Sequence, residues 1–370
     1  MTRVAWITPG YPPDRGGVSD HSYAMTTTLR EQGHEVLVSS RPHERSFKHL
    51  TAELLRFHPE AVIVAYVPLG FAPRSGGLSP SFTLWCTQLR RRLHTPTLLI
   101  AHEVCLPVAE HWSRHELKLA LLGTAQATQF ELLARCFDQI AFSHEASRGI
   151  WAKRLPNLRS RLHTVRICSS ISVAHSLDPA ADLAAAGYSV PAHTVIFFGT
   201  GHPSVSFEYV ERAFRALLAA EPEARLIIIG MDAAKLRTIR PTLADLGDRV
   251  RPLGFVAAHE VSLWFQVARL VLLPFVDGVN ARKTTVMAAL QHGRAVATTK
   301  GVNTREDIPW DRLCAVAPLE PAAFATVALE CFRNAHWREE LGAAGKADYD
   351  AHASPSVTAA QFLACATGSR

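Results

Sequence analysis

The sequence lacks several features that would place it in a functional class at once. No apolar run reaches the roughly 18 residues that a membrane-spanning helix requires. A strand-like pattern begins directly after the first three residues, so we expect no signal peptide. The seven cysteines are an odd number and include no C-x-x-C pair. We therefore expect reduced, mostly buried thiols in a cytoplasmic protein, without a disulfide framework or a structural zinc.

Motifs for metals and nucleic acids are also missing. The sequence has no H-E-x-x-H or other ligand cluster, which argues against a metal. Basic residues are not interleaved with aromatic ones as on a stacking surface, which argues against nucleic acid as a partner. A net charge of +6 nevertheless indicates anionic ligands.

The densest run of basic residues lies between positions 148 and 166. It holds six arginines and lysines together with Trp151 and Leu155. Peripheral contact with the inner face of a membrane, binding of an anionic acceptor and a solvated, salt-bridged surface are all compatible with this composition.

Apolar runs alternate with helical patterns along the whole chain. At 370 residues the chain is long enough for two domains. The alternation predicts an α/β fold with parallel, doubly wound sheets and ligands at the carboxyl ends of the strands. The predicted strands are 4–8, 35–38, 61–66, 97–102, 139–143 and 164–168 in the first half, and 195–199, 225–230, 250–255, 270–275 and 295–299 in the second.

The loop after strand 270–275 leads into a predicted helix. Thr284 and Thr285 are expected to cap this helix, and His292-Gly293 to end it. The N-terminus of the helix would therefore lie at the carboxyl end of a buried strand, where parallel sheets bind ligands.

Arg282 and Lys283 stand immediately before that helix. Two cations, unpaired N–H groups and the positive end of the helix dipole would then converge at one point, which predicts phosphate binding. Ordinary solvated charges are the alternative interpretation.

A second glycine-containing loop opens the chain. The pattern strand, Gly16-Gly17, helix, strand is a βαβ unit. The glycine pair marks either a tight turn or a close approach of the backbone to a ligand.

Two stretches resemble the retaining glycosyltransferases of family four. The first is Pro-Pro-x-x-Gly-Gly-Val at 12–18, with Gly-His-Glu-Val at 33–36. The second is Asp277-Gly278 with 293–296. The resemblance implies the GT-B fold, in which two Rossmann-like domains face each other across a crevice. It also implies sugar transfer from a nucleoside-diphosphate sugar to an acceptor hydroxyl with retention, without a metal or other cofactor.

The resemblance assigns roles to residues at the ends of several strands. His102 and Asp277 are the catalytic candidates. The donor-binding candidates are Gly16, Gly17, Thr200, Gly201, His202, Arg282, Lys283, Thr284 and Thr285. The acceptor-binding candidates are Tyr66, Glu103 and Glu145. Structural roles are the alternative for His102, which could be an ordinary hydrogen-bonding residue, and for Glu145, which could cap a helix.

The sequence departs from the family at three positions. Thr200 and Val205 stand where family members carry an Arg and a Lys, and Ala288 stands where a second acidic residue is expected. Arg282 and Lys283 could replace the missing cations. Two other functions therefore remain open: a catalytically degenerate subunit that needs a partner chain, and a sugar-nucleotide epimerase.

The predicted domains follow from these patterns. Residues 1–170 form the acceptor-side domain, 171–192 a linker and 193–353 the donor domain. Residues 354–370 form a helix that, by resemblance, packs back on the first domain. The nucleotide base, the sugar, the acceptor and the oligomeric state are not predicted.

Overall fold

Contacts between residues divide the chain into two units. The computed structural model describes residues 1–14, 16–41, 46–105, 114–305 and 307–368. Unit 1 comprises Met1–Ile167 and Pro355–Arg370, and unit 2 comprises Cys168–Ser354. The last two residues of the predicted C-terminal helix, 369 and 370, lie outside the described residues.

Each unit contains one six-stranded sheet. The strands of unit 1 are β1 (Arg3–Thr8), β2 (Glu35–Ser40), β3 (Ala61–Tyr66), β4 (Thr97–Ala101), β5 (Gln139–Phe142) and β6 (Leu162–Thr164). Those of unit 2 are β7 (His193–Phe198), β8 (Ala224–Ile229), β9 (Val250–Gly254), β10 (Leu270–Leu273), β11 (Val296–Thr299) and β12 (Ala315–Ala317).

Helices separate the strands. In chain order they are α1 (Gly17–Glu31), α2 (Phe47–Phe57), α3 (Pro68–Phe71), α4 (Pro80–Leu93), α5 (Arg114–Ala134), α6 (Glu145–Arg154), α7 (Pro179–Ala185), α8 (Phe207–Ala220), α9 (Ala233–Ile239), α10 (Pro241–Ala244), α11 (Ala258–Val267), α12 (Thr284–Gln291), α13 (Trp310–Leu313), α14 (Pro321–Arg333), α15 (Ala335–His352) and α16 (Pro355–Thr367).

Both sheets are parallel, with orders β2-β1-β3-β4-β5-β6 and β12-β11-β10-β7-β8-β9. The central strands are continuous apolar runs; all six residues of β3, for example, are buried. Such runs form because helices cover both faces of a parallel sheet. The predicted doubly wound architecture is therefore confirmed, and β9 lies at a sheet edge.

The C-terminal helix α16 belongs to unit 1. Its Phe362 packs edge-on against Trp6 of β1, with ring centroids 6.3 Å apart. Thr358 Oγ1 also donates to the carbonyl of Arg166 at 3.2 Å. An aromatic pair of this kind contributes about 0.5–1.5 kcal/mol beyond its buried area, so α16 is part of the core of unit 1.

Three stretches differ from their predicted structure. The first is β12 (Ala315–Ala317), a short edge strand that was not among the predicted strands. Residues 165–168 were expected in a strand, but β6 ends at Thr164. Val165, Ile167 and Cys168 are buried all the same, so their apolar pattern reports burial rather than pairing in the sheet. The segment 171–192 was expected to be a linker, yet it contains α7, and Leu183 of this helix is fully buried in the core of unit 2.

The basic run at 148–166 does not form an amphipathic surface. Trp151 and Leu155 are each 5% exposed and pack into the core of unit 1. Arg148 pairs with Glu145, and Arg154 pairs with Glu131. The apolar part of the predicted membrane-binding surface is thus inside the protein.

Candidate functional site

Three neighbouring strands of unit 2 end at the same edge of its sheet. These are β11, β10 and β7, which are adjacent and parallel. Hydrogen bonds join the loops that follow β7 and β10: Ser206 N donates to Pro274 O at 3.1 Å, and Val276 N donates to Ser204 O at 2.9 Å. The loops therefore form one connected surface at the carboxyl edge, where parallel sheets place ligands.

Asp277 is the most heavily bonded side chain of this surface. Its two carboxylate oxygens accept from Lys283 Nζ at 2.8 and 3.0 Å. Oδ2 also accepts from Asn303 Nδ2 at 2.9 Å, and the main-chain N–H of Asn303 donates to Asp277 O at 2.9 Å. The structure thus brings two predicted site residues together and adds Asn303, which the sequence reasoning did not identify.

Burial opposes the charge on Asp277, but the hydrogen bonds from Lys283 and Asn303 outweigh it and hold the pKa of this carboxyl below its usual value. For Lys283, burial outweighs the attraction of Asp277 and lowers the pKa of the ammonium. Burial opposes the charge on both groups. The ammonium of Lys283 nevertheless contacts both carboxylate oxygens of Asp277, so the two residues form an ion pair.

Lys283 is held on its other side by an aromatic ring. Its Nζ lies 4.5 Å from the ring centroid of Phe275, and its side chain is only 14% exposed. A cation over an aromatic face gains about 0.5–2 kcal/mol, depending on its desolvation. Lys283 is therefore fixed within the loop, whereas Arg282 is exposed and the structure gives its side chain no partner among the described residues.

The N-terminus of α12 follows directly. Thr284 and Thr285 are the first two residues of the helix and do not cap it: the N-cap residue is Lys283, and no side chain bonds the first turn. The predicted capping role was wrong because the turn starts earlier in the chain, where Asn280 Oδ1 accepts from Arg282 N at 3.0 Å. The end of the helix is as predicted, since Gly293 adopts φ +62° after His292.

Two N–H groups remain open at this end. Within the described parts of the chain, no acceptor is found for the main-chain N–H of Thr284 or Thr285. Thr284 is exposed and Thr285 is partly exposed. Open N–H groups at a helix N-terminus, beside an arginine, are suited to bind an anion such as phosphate.

The loop after β7 lies beside the same helix end. A Cβ placed on Gly199 would be 3.9 Å from Cγ2 of Thr285. Thr200 is exposed, and Gly201 has φ +73°, a conformation that favours glycine. The backbone of 199–201 therefore approaches the first turn of α12 without a bulky side chain between them.

One ring nitrogen of His202 is bonded within its own loop. Its Nδ1 accepts from Ser204 N at 3.1 Å and lies 2.9 Å from Ser204 Oγ. His202, a predicted donor-binding residue, is thus bonded to Ser204 within the turn that follows β7. Val205 pairs with Phe275 through an isolated antiparallel bridge, and Ala288 is 1% exposed in the core.

In unit 1, His102 follows the carboxyl end of β4 as predicted. Its ring packs edge-on against that of His21 on α1, with centroids 4.9 Å apart. His21 is 6% exposed, and neither of its ring nitrogens has a hydrogen-bond partner within the described residues. Burial, and then the neighbouring His102, hold the pKa of His21 well below its usual value. His21 is a second residue that the sequence reasoning missed, since a polar residue in an amphipathic helix pattern is expected to face solvent.

Gly16 and Gly17 begin α1. Gly16 has φ +143°, which favours glycine, and a Cβ on either residue would find no described atom within 4 Å. The backbone here is therefore open on the side where a side chain would stand.

Tyr66 was expected to contact an acceptor, and the structure contradicts this. The residue is 0% exposed, its hydroxyl accepts from Gln129 Nε2 at 3.0 Å, and its ring stacks on Phe82. The last residue of a strand can face the core as readily as the ligand edge, and here it faces the core.

The two predicted acceptor-side glutamates differ. Glu103 is exposed. Glu145 lies in the first turn of α6, pairs with Arg148 and accepts from Thr164 Oγ1 at 2.7 Å. The hydrogen bond from Arg148 lowers the pKa of Glu145 most, with Thr164 adding to the effect against burial. The carboxylate of Glu145 is thus bound within its own unit.

Metal and membrane features were also searched in the described residues. They contain no group of three or more His, Cys, Asp or Glu side chains that could hold a metal ion. No helix in the part of the chain that the structure describes is long and apolar enough to cross a bilayer.

Comparison with known proteins places the candidate site within a matched domain. Residues 192–334, all in unit 2, match the family model described as glycosyl transferases group 1. No curated protein matches the chain by sequence.

Solved structures match nearly the whole chain. Sucrose-phosphate synthase from Thermosynechococcus elongatus is 15% identical, with 98% of each chain covered and a TM-score of 0.70. HepE from Anabaena, solved in complex with UDP-glucose, is 13% identical, with 98% of each chain covered and a TM-score of 0.63. A trehalose-6-phosphate structure from E. coli, bound with UDP-2-fluoro glucose, is 13% identical, with 99% of each chain covered and a TM-score of 0.64. The chain therefore has the GT-B fold, as the sequence predicts, and its residues 192–334 match the family model of glycosyl transferases group 1.

Proposed function

We propose that the protein transfers a sugar from a nucleoside-diphosphate sugar to an acceptor hydroxyl, with retention at the anomeric carbon and without a metal. The observation that carries the proposal is the first turn of α12. Two open N–H groups, on Thr284 and Thr285, lie beside the exposed side chain of Arg282 at the carboxyl edge of the matched domain. HepE, whose structure is similar to this chain, was solved with UDP-glucose, and this supports a nucleotide sugar as the ligand class.

In this proposal the diphosphate of the donor accepts hydrogen bonds from the first turn of α12 and from Arg282. Departure of the nucleoside diphosphate develops negative charge, and donors that are already in place lower the barrier by several kcal/mol. Arg282 then does the work of the cations that are missing at Thr200 and Val205. Asp277 has a positioning role, since its carboxylate holds Lys283 within the loop.

Acceptor recognition is assigned to unit 1. His102, with His21 packed against it, and the exposed Glu103 follow the carboxyl end of β4. Tyr66 is removed from this set because it is buried, and Glu145 because its carboxylate already pairs with Arg148.

A degenerate subunit is the second candidate function. Lys283 is bound to Asp277, and neither Thr200 nor Val205 carries a charge, so Arg282 is left as the cation of this loop with no partner in the described residues. A subunit of this kind would lack productive donor binding and would depend on a partner chain.

The two candidates are separated by thermal unfolding with UDP, GDP, ADP and dTDP, each measured both with and without EDTA. A ligand that binds only the native state at a hundred times its Kd adds about 2.7 kcal/mol of stability. We expect one nucleotide to raise the Tm, and Arg282→Ala to weaken that nucleotide about 10-fold or more, since it removes a charge-assisted hydrogen bond.

The matched control is Arg312→Ala, an exposed arginine on α13 of the same unit, which should bind like wild type. If none of the four nucleotides raises the Tm, the transferase proposal fails and the degenerate subunit is favoured. If EDTA abolishes the effect, metal independence fails. The anomeric configuration of the product, read by NMR with the identified donor, tests retention.

A further inference from the structure

A cavity of about 490 Å³ lies at the opposite edge of the unit 2 sheet from the candidate donor site. Ala192, Arg269 and Ala295 directly precede β7, β10 and β11, so the cavity opens at the amino ends of these three strands. Its charged lining residues are Arg269, Arg294, Arg338 and Glu339.

Three arginines line this cavity, and each is held in place by the protein. Arg269 donates to His193 Nδ1 at 2.5 Å, and its guanidinium lies 4.5 Å from the ring centroid of Phe332. Arg294 donates to the carbonyls of His292 and Ala268 at 3.3 and 3.4 Å.

The third arginine, Arg338, donates through one nitrogen to the carbonyls of Cys331 and Phe332 near the end of α14. A guanidinium has five N–H donors in a fixed fork. The bonds just described occupy only part of each fork, so donors remain for a ligand.

The protein balances these positive charges only in part. Glu339 is the only acidic residue among those lining the cavity. Within the described chain, no carboxylate lies within 4.0 Å of the nitrogens of Arg269, Arg294 or Arg338. Moreover, Arg269 Nε is buried and has no hydrogen-bond partner there.

The surroundings of Arg294 and Arg338 disfavour the charged form of each guanidinium. Burial lowers the pKa of Arg294. Burial, followed by repulsion from Arg269, lowers the pKa of Arg338. Cations that are partly desolvated and close to one another are stabilised when an anion binds between them. Packing of the apolar stems explains why the side chains lie here, but it does not explain why three arginines line one cavity.

We propose that this cavity binds a small anion through a phosphoryl group, at a site separate from the candidate donor site. Arg269, Arg294 and Arg338 are its ligands, because the planar guanidinium matches two phosphate oxygens at once. The source is either inorganic phosphate or pyrophosphate, or the phosphate of a small metabolite. All three share the same recognition chemistry.

The probe is inorganic pyrophosphate, titrated calorimetrically into the full chain at an ionic strength of about 0.15 M, where non-specific surface attraction is screened. We expect saturable binding to wild type and at least about 10-fold weaker binding to Arg338→Gln and Arg294→Gln. Arg333→Gln alters an exposed arginine at the end of α14 that does not line the cavity, and should bind like wild type.

Two further variants keep the result interpretable. Arg282→Ala should bind pyrophosphate at the cavity unchanged. If binding instead survives Arg338→Gln and is lost in Arg282→Ala, the anion occupies the donor site and the proposal is overturned. Glu339→Gln removes the lining carboxylate without touching an arginine, so it should tighten binding even if an arginine variant folds poorly.

The type of anion is tested in parallel. Inorganic phosphate and a sugar phosphate distinguish the two sources, since whichever binds more tightly identifies the ligand as inorganic or organic. Citrate serves as the carboxylate probe. Tighter binding of citrate than of any phosphate, or no saturable binding of pyrophosphate to wild type, overturns the proposal.

Discussion

Lys283 contacts both carboxylate oxygens of Asp277, at 2.8 and 3.0 Å, while its chain neighbours Arg282 and Thr284 are exposed. The loop before α12 therefore has one cation that is committed to the protein and one that is available. The ion pair between Lys283 and Asp277 fixes the shape of the loop, and the exposed side chain of Arg282 can bind a ligand.

Asp277→Asn should destabilise unit 2 by about 1–3 kcal/mol, because it leaves a largely buried ammonium without its charged partner. Urea unfolding measures the loss. Asp350→Asn is the matched control: Asp350 pairs with Lys346 on α15, and both side chains are about half exposed, so the loss there should be under about 1 kcal/mol. Equal losses in the two variants would mean that the Asp277 pair has no structural role.

Acid should destabilise unit 1 through His21. The pKa of His21 lies well below 6.5 in the folded chain, while the unfolded chain titrates near about 6.5. Between these two values the unfolded state binds a proton that the native state does not. Stability therefore falls as the pH drops below about 6.5, by at most about 1.4 kcal/mol per pH unit for this residue.

His21→Leu tests this, because it removes the titrating group at a position where neither ring nitrogen has a partner among the described residues. Denaturant unfolding at several pH values should show a shallower acid dependence for His21→Leu. His259→Gln, at an exposed histidine of α11, should leave the dependence unchanged. An unchanged slope in His21→Leu would show that His21 titrates normally.

Gly278→Ala should be among the most damaging substitutions in unit 2. Gly278 has φ +86°, and an added Cβ would lie 2.3 Å from Gly301 N and 2.4 Å from Thr304 Oγ1. A left-handed backbone alone costs a non-glycine residue about 1–2 kcal/mol, so the clash raises the expected loss to more than about 3 kcal/mol.

Gly247→Ala isolates the conformational part of that loss. Gly247 also has positive φ, +58°, but its added Cβ meets no described atom within 4 Å. Thermal unfolding should show a loss of only about 1–2 kcal/mol there. If the two alanine variants are equally stable, the contact between Gly278 and Gly301 is not as tight as the structure gives it.

The sequence predicted the two sheets well, because parallel strands covered on both faces are continuous apolar runs, as in β3 and β10. It failed where apolar residues are buried outside a sheet, as at Val165 and Ile167, since burial and strand pairing leave the same pattern. It also missed α7, a short helix in a segment rich in small residues.

The candidate site was predicted in outline. Arg282, Lys283 and the N-terminus of α12 could be found because they are consecutive in sequence. Asn303 could not be paired with Asp277, since 26 residues separate them. A signal did exist, because Asn303 follows β11 and the ends of adjacent parallel strands meet at one edge. The direction of the Tyr66 side chain depends on packing that a strand pattern does not encode.

One further consequence follows from the length of α12. The helix has eight residues, about 12 Å at 1.5 Å per residue. Its first turn carries the open N–H groups. Arg294, which lines the cavity at the amino ends of the strands, follows shortly after its last residue, Gln291. The backbone of Gly293 packs closely against α15, because a Cβ on Gly342 of that helix would lie 2.3 Å from the carbonyl oxygen of Gly293. The helix thus joins the proposed donor site to the proposed anion cavity. If occupancy of one end changes affinity at the other by some factor, thermodynamic linkage requires the same factor in the reverse direction.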